Sequence, residues 1–233
     1  MIGMTIYPLQ KTPALDAACE ALRQRGVTIA ELPGKSVTHV LLPIPRYDQE
    51  ELARILPEMG DVTMIGGDRL LKDERYLAEN AAITADCAIR IAAQKLPTVF
   101  RGCPVLVIGW GRIGKCLADQ LRRMGADVTV AARQEAHLAA LASLGYTAIP
   151  TDRIETYLLR YRILFNTVPA PILSSKQLTR CPAGSILIDL ASQQGMEGDP
   201  VVWARGLPGK MAPEAVGQLM ASTILRLVRE GRL

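Results

Sequence analysis

The stretch VLVIGWGRIGKCLADQLRRMGADVTVAARQ, residues 105–134, decides the fold of this chain. It opens with the apolar run VLVI, breaks into glycines, continues with apolar residues at helical spacing and ends in a second apolar run. A strand, a glycine-rich turn, a helix and a second strand in this order form one unit of a parallel sheet. Strand and helix patterns alternate over the rest of the chain. We therefore predict the α/β class: a Rossmann-type doubly wound parallel sheet plus a smaller N-terminal α/β domain.

The glycines of the turn fit the pattern G-x-G-x-x-G. Gly109 allows a tight turn off the strand, and Gly111 lacks a Cβ, so that a pyrophosphate can approach the backbone. Gly114 lets the helix lie close to the sheet. The first helical turn, which includes Arg112 and Ile113, directs N–H groups and the positive end of the helix dipole at the phosphates. A glycine-rich turn without a ligand is the alternative, which the flanking strand–helix–strand pattern disfavours.

The end of the second strand indicates which dinucleotide is bound. It runs into Ala132 and Arg133, with Gln134 behind them. An NAD site usually has an acidic residue here that accepts a hydrogen bond from the ribose 2′-hydroxyl, and no acid stands before Glu135. An arginine instead forms charge-assisted hydrogen bonds with a 2′-phosphate. We predict NADP(H) as the cofactor; a surface arginine beside a site that also accepts NAD is the alternative.

Composition excludes several classes of function. The net charge of the 233 residues is +4, and the basic residues are scattered, so nucleic acid is not an expected partner. No zinc-ligand spacing occurs, and we expect no metal.

Five cysteines without a CxxC pair are typical of a reducing compartment. No signal peptide and no apolar run of about 18 residues is visible, so we expect a cytoplasmic protein that is not membrane-bound.

We predict four segments along the chain. Residues 1–80 form a small N-terminal α/β domain, residues 81–101 a linker helix, residues 102–210 the NADP-binding Rossmann domain, and residues 211–233 a C-terminal helix that returns to the first domain. The predicted strands are residues 4–7, 27–32, 38–44, 61–65, 105–108, 128–131, 148–149, 163–165, 186–190 and 201–203. The predicted helices are one between Thr12 and Gly26, then 49–56, 80–100 with a kink or early end at Pro97, 113–124, 135–144 and 214–229.

The catalytic groups are less apparent. Hydride transfer usually needs an acid or base beside the nicotinamide. Of the two histidines, His39 lies in an apolar strand and is interpreted as a core residue, and His137 lies on the adenosine side. Candidates are Asp86 at the start of the linker helix, Ser192 behind a strand end and Lys210 before the last helix. Lys210 would bind a substrate carboxylate and Ser192 would hydrogen-bond it. A solvated lysine, a strand-end serine and an aspartate that offsets a helix dipole are the alternatives.

Ligands of open α/β sheets bind at the carboxyl ends of the strands. The segments that follow the later strands of the Rossmann domain are therefore expected to contact the cofactor, together with the turn before the last helix. The residues concerned are Thr167, Val168, Pro169, Leu190, Ala191 and Pro208.

Five segments resemble the A subunit of the dipicolinate synthase family of spore-forming bacteria in order and spacing: GWGRIG, VAARQEAHL, FNTVPAPIL, LIDLAS and GLPGKMAPEAVGQLM. The resemblance covers residues 80–230. It implies a two-domain dehydrogenase-like subunit that acts in dipicolinic acid biosynthesis during sporulation. Such a subunit oxidises a dihydrodipicolinate-type intermediate, a small dicarboxylate, to pyridine-2,6-dicarboxylate, and NADP⁺ takes the hydride. It works with a flavoprotein-like B subunit.

The sequence departs from the family in its first domain, which is shorter. The family's GGD-x-R turn follows the first strand, whereas GGDR here occupies residues 66–69, and Asp86 stands where the family usually has glutamate. Two alternatives remain: an NAD(P)-binding partner or regulatory subunit with reduced catalysis, and a dehydrogenase of another small dicarboxylate. The apolar stripe Ile83, Cys87 and Ile91 is compatible with a homodimer and equally with packing inside the chain.

Overall fold

The computed structural model describes residues 3–44 and 46–233 and confirms the predicted α/β class. The chain divides into two compact units, each with its own parallel sheet. The first unit contains the chain up to Ile83 together with Pro208–Leu233, and the second contains Thr84–Leu207. The chain therefore leaves the first unit, builds the second and returns to the first.

Strands and helices alternate through most of the described chain. The strands are β1 (Thr5–Pro8), β2 (Thr28–Ile29), β3 (His39–Leu42), β4 (Thr63–Gly66), β5 (Pro104–Ile108), β6 (Asp127–Ala132), β7 (Thr147–Pro150), β8 (Ile163–Asn166), β9 (Ile186–Asp189) and β10 (Val202–Trp203). The helices are α1 (Pro13–Arg23), α2 (Gln49–Ile55), α3 (Gly67–Leu70), α4 (Glu74–Lys95), α5 (Arg112–Arg123), α6 (Glu135–Ser143), α7 (Ile154–Tyr157), α8 (Ser175–Leu178), α9 (Leu207–Met211) and α10 (Pro213–Arg229). Short 3-10 turns lie at Leu56–Glu58, Thr151–Arg153 and Leu158–Arg160.

The sheet of the first unit has the order β2-β1-β3-β4, with all strands parallel. Helix α1 begins where the Thr12 hydroxyl accepts a hydrogen bond from the Leu15 N–H at 3.2 Å. Its apolar stripe and that of α10 cover one face of the sheet. A second cluster, which includes Val40, Leu42 and Ile55, covers the other face. The unit is therefore a doubly wound sheet with two apolar layers.

The sheet of the second unit has the order β10-β9-β8-β5-β6-β7, again parallel throughout. Strand β5 is central, and residues 105–108 in it are completely buried, which explains their continuous apolar run. The chain builds outward from β5 in one direction through β6 and β7 and in the other through β8, β9 and β10. This reversal places the topological switch point at the carboxyl ends of β5 and β8.

Among the elements that differ from the prediction are α4, β2 and α9. Helix α4 begins at Glu74 rather than at residue 80, because the Asp73 carboxylate caps it by accepting a hydrogen bond from the Tyr76 N–H at 2.9 Å. It ends at Lys95, before Pro97. The strand predicted at 27–32 shrinks to Thr28–Ile29, because β2 is an edge strand that pairs only with β1 in the described chain. The turn predicted before the last helix contains the short helix α9.

The chain itself covers two residues of the stripe proposed for a homodimer. Ile83 packs against the core of the first unit, and Cys87 is buried, whereas Ile91 is half-buried. This arrangement matches the alternative of packing inside the chain. Separately, across residues 3–44 and 46–233, none of the helices combines the length and the apolarity that a membrane crossing requires.

Candidate nucleotide-binding site

The three glycines after β5 have different surroundings. Gly109 has a φ of +104°, in the left-handed region, and a Cβ there would collide with the Thr167 hydroxyl and lie 2.9 Å from a methyl group of Val168. A Cβ on Gly114 would overlap the carbonyl group of Gly109. A Cβ on Gly111 would meet no atom within 4 Å. Only the middle glycine therefore faces open space, as expected where a diphosphate approaches the backbone.

The amino end of α5 lies at this open space. Gly111 is the N-cap residue of the helix, and no described side chain accepts a hydrogen bond from the first turn as a cap. Uncapped N–H groups and the helix dipole favour an anion at such a helix end. Arg112 is exposed, and Ile113 is half-buried. The arrangement fits the diphosphate of a dinucleotide.

Aromatic and basic side chains support the turn from outside. The Trp110 ring, in the turn, packs edge-on against the Tyr146 ring with centroids 5.7 Å apart. The ammonium group of Lys115 lies 5.8 Å from the Trp110 ring centroid, and the guanidinium of Arg122 lies 4.4 Å from that of Tyr146. These cation–π contacts connect the turn to the segment that precedes β7.

The residues of the predicted 2′-phosphate site follow β6. Ala132 is buried at the strand end, whereas Arg133 and Gln134 are exposed. Gln134 is the N-cap residue of α6, and its side chain makes no capping hydrogen bond. No ion pair to Arg133 occurs within residues 3–44 and 46–233. Its guanidinium group is therefore available to an anion at the carboxyl end of β6.

The loop after β8 is tied to the end of β5. The Thr167 hydroxyl and the Thr167 N–H both donate to the carbonyl oxygen of Ile108, each at 2.9 Å. Val168 is half-buried, and Pro169 is exposed. These contacts hold the loop against the glycine turn at the switch point.

The last residues of β8 and β9 form a buried polar pair that the sequence reasoning did not assign. Asn166 and Asp189 are both completely buried, and the Asn166 amide nitrogen donates to an Asp189 carboxylate oxygen at 3.1 Å. The sequence signal for this pair is a polar residue at the end of each of two apolar strands. A polar residue that is buried at such a position needs a hydrogen-bond partner.

The segment after β9 continues this edge. Leu190 and Ala191 are buried, and the Trp203 indole N–H donates to the Ala191 carbonyl oxygen at 3.0 Å. Ser192 is exposed. The second unit thus brings most predicted cofactor residues to one edge of its sheet, after β5, β6, β8 and β9. Pro208 is the exception, since it belongs to the first unit, where it is buried.

The candidate catalytic residues lie in three different elements. Asp86 is exposed in the middle of α4, not at the start of a helix as predicted, because α4 begins at Glu74. Ser192 is exposed after β9, and Lys210 is exposed in α9. No hydrogen bond or ion pair joins any two of them in the described part of the chain. Asp86 therefore does not offset a helix dipole.

Neither histidine lies in the loops after β8 and β9. His39 is only half-buried at the start of β3, and its Nδ1 lies 2.7 Å from the Thr38 hydroxyl. Burial lowers the pKa of His39. His137 is half-buried in α6. The loops after β8 and β9 therefore contain no His–carboxylate pair.

The second unit is similar in sequence to a known dehydrogenase family. Residues 90–197 match the shikimate/quinate 5-dehydrogenase family model. The A subunit of dipicolinate synthase from Bacillus subtilis (strain 168) is 32% identical over 170 residues, which are 70% of this chain and 57% of that protein. The aligned region thus spans little more than half the length of this curated relative.

Two crystal structures share the fold. The A subunit of dipicolinate synthase from Bacillus halodurans superposes with a TM-score of 0.80 at 22% identity, over 97% of this chain and 98% of that chain. A transhydrogenase from Sinorhizobium meliloti has a TM-score of 0.74 at 14% identity, over 97% of this chain and 94% of that chain. The chain therefore shares its fold with the A subunit of dipicolinate synthase and is similar to it in sequence.

Proposed function

We propose that the chain uses NADP⁺ to oxidise a dihydrodipicolinate-type intermediate to pyridine-2,6-dicarboxylate. One observation carries the nucleotide part: Gly111 faces open space between two glycines that are in tight contact, at the uncapped end of α5. The substrate part is supported by the curated relative, whose name identifies it as the A subunit of dipicolinate synthase.

The residues present fit an NADP molecule along the carboxyl edge of the second sheet. The turn from Gly109 to Gly114 would hold the diphosphate, and Arg133 would bind the 2′-phosphate. Ala132 and Gln134 would border the adenosine ribose. The loops after β8 and β9 would border the nicotinamide half. When bound, the nicotinamide ring of NADP⁺ supplies a hydride acceptor.

The residues of the chain must bind the two carboxylates of the substrate, orient its ring and remove one proton from it. The dihydro ring loses one hydride to NADP⁺ and one proton to a base or water, and it becomes aromatic, which favours the oxidation. We assign carboxylate binding to Lys210, a hydrogen bond to the substrate to Ser192 and proton removal to Asp86. All three side chains are exposed, so each is accessible to a ligand.

The partner that we propose is a flavoprotein-like B subunit. The name of the Bacillus subtilis relative designates it as one subunit of a synthase, which supports a second component. A homodimer would need a surface other than the covered residues Ile83 and Cys87.

The decisive experiment follows NADPH absorbance while the protein is incubated with dihydrodipicolinate and NADP⁺, with and without a B subunit. We expect turnover with NADP⁺ and slower turnover with NAD⁺. Absence of both turnover and NADPH binding would refute the proposal. Tight NADPH binding without turnover would instead support the second candidate function, an NAD(P)-binding partner subunit. That candidate is favoured by one observation, the absence of a histidine from the loops after β8 and β9.

A further inference from the structure

We infer that Asn166 and Asp189 are positioning residues that set how tightly the nicotinamide half of the dinucleotide is held. The inference rests on the proposed function, because it presupposes that NADP(H) lies along the carboxyl edge of the second sheet. It goes beyond that function in assigning a role to two residues that no motif reserves for the cofactor.

The Asn166 side chain forms hydrogen bonds with the backbone of the loop after β8. Its side-chain oxygen accepts a hydrogen bond from the Val168 N–H at 3.0 Å, and its side-chain nitrogen donates to the Val168 carbonyl oxygen at 3.1 Å. The same nitrogen donates to Asp189 at 3.1 Å. A single completely buried side chain therefore determines the backbone of residue 168 and links it to the neighbouring strand.

The Asp189 side chain likewise accepts hydrogen bonds from the backbone of the loop after β9. One carboxylate oxygen accepts from the Ala191 N–H at 3.0 Å. The other accepts from the N–H groups of Gly195 and Met196, at 2.7 and 2.8 Å, and from Asn166. The buried carboxyl group thus accepts hydrogen bonds from four donors, which replace those it would form with water.

Gly195 shows how closely the two loops are packed together. A Cβ on this residue would lie 2.5 Å from the Asn166 side-chain nitrogen and 3.0 Å from the Val168 carbonyl oxygen. The Gly195 carbonyl oxygen also accepts from the N–H groups of Ile172 and Leu173, at 2.7 and 3.0 Å. Residues 166–173 and 189–196 therefore form one compact block, with the polar pair at its centre.

This block lies on the half of the sheet opposite the adenosine side. The glycine turn follows β5 and Arg133 follows β6, which lies between β5 and the edge strand β7. Strands β8, β9 and β10 form the other half. A dinucleotide bound across the switch point places one mononucleotide on each half, so the loops after β8 and β9 border the nicotinamide half.

The test separates the two halves of the ligand by calorimetric titration of the whole chain. NADPH spans both halves, whereas adenosine 2′,5′-bisphosphate occupies only the adenosine half. We expect Asn166→Ala to weaken NADPH binding about tenfold or more, the equivalent of about 1.4 kcal/mol. The same variant should leave the affinity for the bisphosphate within about twofold. Asn166→Ser, whose hydroxyl is too short to bridge to Val168 and Asp189, is a second variant should the alanine protein not fold.

Ser185→Ala is the matched control. Ser185 is a buried polar residue that precedes β9, at the amino end of the sheet, and its hydroxyl donates to the Tyr161 carbonyl oxygen at 3.2 Å. Its loss should lower the melting temperature without changing either affinity.

Equal weakening of both ligands in the Asn166 variants would overturn the inference, because it would indicate a purely structural role. Unchanged NADPH binding would overturn it as well. If the wild-type chain binds neither ligand, the proposed function fails first, and the inference fails with it.

Discussion

The glycine turn shows how single residues in one motif divide between ligand binding and folding. A side chain at residue 111 would project into open space, whereas one at residue 114 would overlap the backbone of Gly109. Because the two positions lie three residues apart in one turn, they form a matched pair for mutagenesis.

Gly111→Val should leave the protein folded and abolish NADPH binding, since the valine side chain occupies the space expected for the diphosphate. Gly114→Ala should instead lower the melting temperature, because the helix must move away from the strand. Circular dichroism melts and NADPH titrations, with the fluorescence of Trp110 as one readout, measure both effects. Normal NADPH binding by a folded Gly111→Val protein would show that the phosphates do not lie here.

Arg133→Ala tests the preference between the two dinucleotides. Hydrogen bonds to a charged group contribute about 1.5–3 kcal/mol, so the loss should weaken NADPH binding about ten- to a hundredfold. NADH, which has no 2′-phosphate, should bind almost as before. Arg123→Ala removes an exposed arginine of α5 that pairs with Asp119 and is the control. Equal affinities of the wild-type chain for NADPH and NADH would contradict the assignment.

At the scale of elements, one aspartate joins the start of α4 to the end of α10. The Asp73 carboxylate caps α4 and forms ion pairs with Arg226 at 2.6 Å and Arg232 at 3.5 Å. Burial opposes its ionisation, but the Tyr76 N–H and the two guanidinium groups outweigh burial and hold the pKa of Asp73 below its ordinary value. Its charge therefore stabilises the fold.

A depressed pKa gives this stabilisation a defined pH dependence. It is fully present above the ordinary carboxyl pKa of about 4 and is lost as the pH falls through the lower pKa of the folded state. Asp73→Asn, which retains an oxygen for the cap, should lower the melting temperature at neutral pH, and the difference from wild type should shrink below about pH 4. Glu79→Gln breaks the exposed Arg75–Glu79 pair of the same helix and should change little. A difference that is constant with pH would contradict the role of the charge.

The contact between α1 and α10 depends on one glycine. A Cβ on Gly217 would lie 2.5 Å from both the Ala17 Cβ and the Ala18 backbone nitrogen. Gly217→Val should therefore lower the free energy of unfolding by about 1–3 kcal/mol in urea denaturation. Gly34→Val is the control, because a Cβ there meets nothing within 4 Å. A Gly217→Val protein as stable as wild type would indicate that the two helices can separate without cost.

At the scale of the whole molecule, the first unit is built from two ends of the chain. Helix α10 supplies a third of the buried residues in the larger apolar cluster of that unit, namely Val216, Leu219, Met220, Ala221, Ile224 and Leu227. The second unit has its own sheet and its own cluster, which contains none of these residues.

A chain that ends at Ala212 should therefore lose the first unit and retain the second. Hydrogen exchange measured by mass spectrometry should show lost protection in β1, α1 and β3 and retained protection in β5, β6 and β8. Full protection of β1 and β3 in the shortened chain would contradict the assignment of α10 to the core of the first unit.

Much of the candidate site could be predicted from the sequence, because the patterns that indicate it are local. The glycine spacing, the missing acid before Glu135 and the polar residues at strand ends all lie within a few residues of an apolar strand. The hydrogen-bonded pair Asn166 and Asp189 was not accessible, since its members are separated by 23 residues and meet only when β8 and β9 align. The start of α4 was missed because the helix was predicted from the regular spacing that begins at Ile83, whereas the Asp73 cap lies ten residues earlier.

By itself, the sequence determined the parallel α/β class, the positions of most strands and helices, and the glycine turn with its arginine. These features follow from hydrophobic periodicity and backbone sterics, which act over a few residues. Only the tertiary structure decided that Gly111, alone among the three glycines of the turn, faces open space, that Asp86 lies in the middle of α4 rather than at its start, and that Asn166 pairs with Asp189. Each of these depends on contacts between segments distant in the chain, whose energies depend on how the packed elements meet rather than on any local pattern.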